Sequence, residues 1–332
     1  MKHIKAALAL TIGATLSQPV IAANIDIYGR ADVSLQSSDE GEGRFSEVKS
    51  NSSRIGFKGN HVLNDELTIV YQAEFEVDID GDSDDAVKGR NQFIGLKGAF
   101  GEVLLGQNDS VLKQSQGKTD LFSDLNGDIK VLWVGENRLS DSVTYKSPVI
   151  NGFQLGATYT AEEDVDGKDA LSLAVFYGDK KLKKSNFFAS VAMDSEVKGK
   201  SSDGTVNGYF DTIRATVQGK VSGVTLGLML QNQENIDTGA EMDGVLISAK
   251  YKLGATMLKG QYQIADHKDG EKNTGLTAGV DFASIQLETA QIFPRLPNGN
   301  HFSMGGRVII GNNLITPFTN NHIVLYDHRA KP

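Results

Sequence analysis

From Ile25 to about Ile310, apolar and polar residues alternate in segments of about ten residues, the length a tilted strand needs to cross a bilayer. In the first segment Ile25, Ile27, Ala31, Val33 and Leu35 fall on one side, and Asp26, Tyr28, Arg30, Asp32 and Ser34 on the other. The same two-residue period runs through residues 67–77, 153–160, 245–253 and 258–264. The polar side, with Glu74, Glu76, Lys250 and Lys259, is too charged to be a sandwich core. The apolar side has no evident second sheet to cover it. Lipid outside and water inside answer both points and predict an all-β, transmembrane antiparallel up-and-down β-barrel.

The connections agree with that reading. Short ones are expected near 60–65, 99–101, 148–152, 219–223, 252–255 and 282–284. Long ones are expected near 37–44, 78–89, 109–137, 162–168, 194–207, 233–242, 266–273 and 294–300. Long and short interleave, as the two rims of a barrel facing different compartments require, and the count is about sixteen strands over residues 24–311. The third long connection, 109–137, is by far the longest. It carries Leu121, Phe122, Leu125, Val131, Leu132 and Trp133, too many apolar side chains for a free surface loop, so it is expected to fold into the lumen.

Composition narrows the class without naming a chemistry. The chain has 332 residues, 39% hydrophobic and 23% charged, with a mean hydropathy of -0.25. No run of about 18 apolar residues occurs beyond the N-terminus, which excludes a helical membrane protein but not a barrel, where only alternate residues touch lipid. Residues 1–23 read as a secretory signal: Lys2 and Lys5, an apolar stretch from Ile4 to Ile21, then Ala22 and Ala23. Its removal takes the formal charge from -9 to -11, with 31 basic against 42 acidic side chains. That balance argues against nucleic acid as a partner. With no cysteine there is no disulfide framework. The acidic run Asp78–Asp85 lacks the Gly and Glu positions of a calcium loop, the six His are scattered, and no hydrolase or phosphate-binding motif occurs, so no metal, cofactor or catalytic residue is expected.

Several segments, in order, resemble one family, the general trimeric porins of Gram-negative outer membranes. They are Ile25-Asp-Ile-Tyr-Gly-Arg30, Ser53-Arg-Ile-Gly-Phe-Lys-Gly59, Tyr71-Gln-Ala-Glu74, the stretch from Arg90 to Gly101 with Leu105-Gly-Gln107, and Glu136-Asn-Arg138 leading to Ser142-Val-Thr-Tyr-Lys-Ser-Pro148 and Gly152-Phe153. The resemblance is dense from Ile25 to Tyr159 and mostly pattern beyond it. It implies a homotrimer in the outer membrane, in contact with lipid and lipopolysaccharide and inserted by the assembly machinery, passing small hydrophilic solutes and ions without catalysis. It also implies a row of basic wall residues, here Arg30, Arg54, Arg90 and Arg138, facing acids of the third loop. Candidates for those acids are Asp120, Asp124, Asp128 and Glu136, with Asp124 and Asp128 best placed.

The residues support the basic row on their own account. Arg30 lies on the polar phase, Arg54 stands beside outward Ile55, and Arg138 precedes Leu139, read as outward. An arginine facing lipid at mid-depth costs about 2–4 kcal/mol, so these side chains are expected in the lumen. The chain departs from the family at its end: His301–Ile310 reads as the closing strand, yet an atypical tail, 312–332, follows without alternation. Rival readings are a substrate-specific channel such as a sugar porin, a non-conducting structural barrel, and a soluble secreted β protein.

Overall fold

The structure, a computed structural model, describes residues 24–39, 43–162, 167–200, 207–270, 272–282, 285–293 and 301–310. The expected signal segment and the tail lie outside the described residues, as does the connection at 294–300. Where the two-residue period holds, the chain is extended. The strands are β1 Asn24–Asp39, β2 Arg44–Ser50, β3 Arg54–Val62, β4 Thr68–Val77, β5 Val87–Gly98, β6 Gly101–Asp109, β7 Arg138–Lys146, β8 Phe153–Thr160 and β9 Ala170–Gly178. They continue as β10 Phe187–Lys200, β11 Asn207–Val221, β12 Val224–Asn235, β13 Ala240–Leu253, β14 Thr256–His267, β15 Lys272–Phe282, β16 Ile285–Phe293 and β17 His301–Ile310.

All pairings are antiparallel, and from β3 onward each strand bonds the next in sequence. Along one edge, β1 bonds β3 through Asn24–Arg30 and β2 through Val33–Asp39. Between these stretches two residues of β1 oppose three, Asn51–Ser53, with Ser52 in the left-handed region (φ 54). Hence β2 and β3 are one stave with a bulge in it, and the described strands make the sixteen staves that the alternation predicts. Along its other edge β1 bonds β17 through Ala31–Asp39, which brings the ladder back to its start. Asn24–Arg30 have no partner on that second edge among the described residues.

Burial is inverted relative to a soluble protein. Asp32, Thr158, Ser172 and Gln263 are fully buried, whereas Leu35 is 66% exposed and Ile213 58%. Along β12 Leu226, Leu228 and Leu230 are exposed, and the residues alternating with them, Gly227, Met229 and Gln231, face inward. A strand crossing hydrocarbon must pair every backbone group and turn its apolar side chains to lipid, and this arrangement does both.

The connections are less regular than expected. Segments 236–239 and 268–271 close in four residues each, because β12, β13 and β14 run on as ladder where loops were expected. At the opposite rim, 179–186 is longer than either. Loop length alone therefore does not separate the rims on this side of the barrel; the third loop does. For the apolar face, Leu228→Arg on β12 is expected to lower stability by about 2–4 kcal/mol, read as a shifted urea midpoint of the vesicle-inserted protein.

Candidate functional site

The third long connection leaves β6 and turns into the barrel. Ser110 caps a short helix, α1 (Val111–Ser115), its hydroxyl accepting from Lys113 N at 3.0 Å. Val111 and Leu112 are fully buried against Ala174, Phe176, Phe188 and Ala192 of β9 and β10. Further on, Ile129 and Trp133 are buried among Met229, Met242, Leu246 and Ala265 of β12–β14. Trp133 lies across Gly244, where an added Cβ would sit 2.5 Å from the indole, and its Nε1 donates to Ile264 O at 2.9 Å. Burying side chains of this kind contributes about 1.5–3 kcal/mol each, which explains why the loop carries them.

Between these anchors the loop backbone is held by inward polar side chains on neighbouring strands. Gln218, Gly227, Ser248, Gln261 and Thr277 form one rung across β11–β15. Gln218 Oε1 accepts from Lys118 N (3.0 Å), Ser248 Oγ donates to Thr119 O (2.6 Å), and Gln261 accepts from Leu121 N (2.8 Å) while donating to Gly127 O (3.0 Å). These side chains satisfy a non-helical backbone that has left water. Two rungs further toward the outer rim, fully buried Arg214 meets Glu136 at 2.7 Å and donates to Gln231 at 2.8 Å, and Gln231 donates to Val134 O at 2.9 Å.

The opposite wall carries the predicted arginines. Arg54 donates to Asp124 at 2.7 Å, and Arg30, paired with Asp32, lies 3.7 Å from the same carboxylate. Arg90 bonds Glu74 at 2.7 Å and Glu76 at 2.6 Å. A register break between β4 and β5 aims it there: one residue of β4, Glu74, is matched by two of β5, so Arg90 joins Asn91 on the inner side. Tyr28 donates to Glu74 at 2.8 Å and lies over Gly56, where any side chain would displace the ring. Arg138 bonds Asn91 at 2.9 Å and Asp109 at 3.2 Å. The loop thus docks on β9–β14 and presents its tip to charged residues of β1, β3, β4 and β5.

The family described as Gram-negative porin matches residues 6–284. The chain belongs to that family. Its barrel is an outer-membrane barrel. The major outer membrane protein P.IB of Neisseria sicca is 32% identical over 179 residues, 50% of this chain and 49% of that one. This porin's match thus spans about half the length of that relative. A protein named monosaccharide porin, from a Halomonas species, is 26% identical over 264 residues, 73% of this chain and 72% of the other. Among solved structures, the anion-selective porin from Comamonas acidovorans superposes with a TM-score of 0.72 at 18% identity, covering 87% of this chain and all of the other. Salmonella typhi OmpF, solved with daunomycin, gives 0.64 at 17% identity, covering 86% and 97%.

In this porin the four predicted loop acids have four different surroundings. Of these four, Asp124 alone reaches the row of Arg30, Arg54, Arg90 and Arg138. Burial by itself would raise its carboxyl, but Arg54 and Arg90 hold it below the usual range. Asp120 is an internal brace that accepts from Phe122 N at 2.9 Å and Ile129 N at 3.3 Å. Burial and neighbouring Asp128 push its carboxyl well up. Asp128 accepts from Asp124 N (2.7 Å) and caps the single 3-10 turn Ile129–Val131. Glu136 faces the other wall, where burial raises its carboxyl and Arg214 opposes the rise.

The reading of Leu139 as outward fails. It is buried with Ala170 and Val197, because a register break between β6 and β7 reverses the alternation beside Arg138. Arg214 is not among the residues expected at the site, although it stands on the polar phase of β11 beside exposed Ile213. Nor are Asp32, Glu74, Glu76 and Asp109, the wall acids that pair with the row.

Trp133 is the chain's one tryptophan, so its emission reports docking of the loop. Gly244→Val should expel it and shift emission to the red, with more quenching by acrylamide, while the barrel keeps its circular dichroism. Arg214→Ala leaves Glu136 buried without its partner and should loosen the loop by about 3–5 kcal/mol, read as a lower urea midpoint for the Trp133 emission change.

Proposed function

We propose that this porin is a passive diffusion channel rather than an enzyme, assembled as a homotrimer, with small hydrophilic solutes and ions crossing each lumen past the docked third loop. One observation carries the reading: a polar, hydrogen-bonded inner wall carries the loop, while the outer face is a band of exposed Leu, Ile, Val and aromatic side chains. A filled barrel could be packed with apolar side chains throughout. Here instead the loop's tip stops at a cluster of ionised groups, and in a conducting channel such groups set which solutes pass.

The field at the narrowing comes mostly from the wall. Arg30, Arg54, Arg90 and Arg138 stand with Asp32, Glu74, Glu76 and Asp109 on the strands, and Asp124 is the one loop acid among them. Opposite charges a few ångström apart polarise a passing solute without giving the narrowing a large net charge, so binding stays weak enough for release. A second reading, a sugar channel, is favoured by the likeness to the protein named monosaccharide porin. It requires saturable block of the ion current by a monosaccharide.

In planar bilayers the purified protein should insert in current steps that close in thirds. Material that inserts, as judged by protease protection, without producing steps would refute the channel. Arg54→Glu should move the reversal potential in a salt gradient toward cation preference, since it leaves Asp124 and Glu74 facing an added acid.

Acid pH should act at the loop tip. The lowered Asp124 carboxyl contributes docking that is complete above the ordinary aspartate range and is lost as pH falls through its folded value. Open-channel current noise should therefore rise on acidification. Asp124→Asn should show that noise already at neutral pH and change little on further acidification.

A further inference from the structure

One rung below the docked loop, toward the rim of the tight β11–β12 and β13–β14 turns, the inner wall carries a second set of cations. Backbone pairing places Lys220 opposite Thr225, Thr225 opposite Lys250, and Lys250 opposite Lys259, in one line across β11–β14. These positions continue the inward phase of Gln218, Ser248 and Gln261 in the rung above. Like charges directly opposite on one face destabilise a sheet, yet Lys250 and Lys259 occupy such a pair.

Lys118 of the loop lies within electrostatic range of Lys250, and Lys180, from the connection after β9, lies within range of Lys118 and of Lys146 on β7. Lys259 is tied down: its Nζ is 2.9 Å from Asp281, 3.4 Å from Leu121 O and 4.8 Å from the centre of the Phe122 ring. Lys220 Nζ donates to Leu182 O at 3.3 Å. Among the described residues, no carboxylate forms an ion pair with Lys118, Lys146, Lys180, Lys220 or Lys250. Beyond β14 the register continues through Gly279 to Glu288.

The contrast with the arginine row decides what this cluster can do. Each arginine has an acid partner within 4.0 Å, so the row presents little free charge to a solute. The lysines come from separate strands and from the loop and converge on one side of the lumen; Asp281 pairs with Lys259, and Glu102 stands opposite Lys146 on β6, outside the line of Lys220, Lys250 and Lys259. Ammonium groups are compact point charges suited to phosphate-like oxyanions, without the planar fork that would fix one geometry.

We propose that Lys118, Lys220, Lys250 and Lys259 form a binding site for small polyvalent oxyanions on the inner side of the narrowing. The site makes passage of such anions saturable. It rests on the lumen being water-filled, as in the channel reading, but binding itself needs no conduction.

Binding and conduction can therefore be measured separately, with inorganic phosphate as the probe at mildly alkaline pH. Phosphorus NMR of phosphate with the detergent-solubilised protein should show line broadening that saturates. Lys220→Gln with Lys250→Gln should weaken it by about tenfold for each charge removed, and Lys250→Arg should retain it. Unchanged Trp133 emission will show that the loop stays docked. No saturable broadening in the wild type, or equal broadening in the double variant, overturns the proposal. Broadening abolished by Arg54→Gln and not by the lysine changes overturns it too, by assigning phosphate to the arginine row. In bilayers, phosphate should block potassium chloride current at lower concentration in the wild type than in the double variant. Absence of current steps alongside lysine-dependent broadening would refute the channel and leave the site standing.

Discussion

A backbone amide facing hydrocarbon has no water to turn to, and each unpaired group there costs several kcal/mol. The rest of this structure follows from meeting that constraint with strands. The ladder from β3 to β17 pairs each neighbour with the next, and the outer edge of β1 returns to β17. Once the ladder is set, side chains have two destinations, and the two-residue period assigns them. Exposed Leu226, Leu228 and Leu230 and buried Gln231 and Gln233 are consecutive outcomes of that assignment on one strand.

The third loop meets the same constraint by other means. Its backbone is not in a ladder, so the wall provides partners through side chains: Ser172 to Leu112 N, Gln218 to Lys118 N, Ser248 to Thr119 O and Gln261 to Leu121 N. Apolar contacts at Leu112 and Trp133 flank these bonds and keep water from competing for them. Position follows from docking. Because the loop is held along β9–β14, its far side can present Asp124 to Arg54, where Asn126 adds a tie by accepting from Lys49 Nζ at 3.1 Å and donating to Gln36 at 3.4 Å. The lysine rung below depends on the same docking, since Lys118 reaches it only while the loop lies on Gln218.

Much of the barrel was legible in the chain because alternation is a local signal: the sixteen staves, the outward Ile and Leu faces, the inward Arg30 and Arg54, and the in-folding of residues 109–137. What escaped was non-local. The pairing of Arg214 with Glu136 joins residues 78 apart in sequence, and nothing near either predicts the other. The four loop acids, three Asp and one Glu, took their separate places only through the fold of the loop, which turned Asp120 and also Asp128, expected beside the row, toward its own backbone. The misplaced Leu139 and the unexpectedly long β12–β14 hairpins have simpler causes. A bulge changes the phase of alternation without a change of residue type, and a strand that continues beyond the membrane no longer needs apolar residues to mark it.

The slipped rungs have a consequence of their own. They occur at Asn51–Ser53 beside β1, between β4 and β5, between β6 and β7 and between β10 and β11, and the first three lie close to one or two of the four arginines. Elsewhere in the cylinder one inserted residue would turn a whole stave inside out. Here the mismatch is already absorbed locally, so gain or loss of a residue can be taken up within a few positions. The most highly charged part of the wall, with three of the four slips, is therefore a place where chain length can drift over evolutionary time while the surrounding staves keep their orientation.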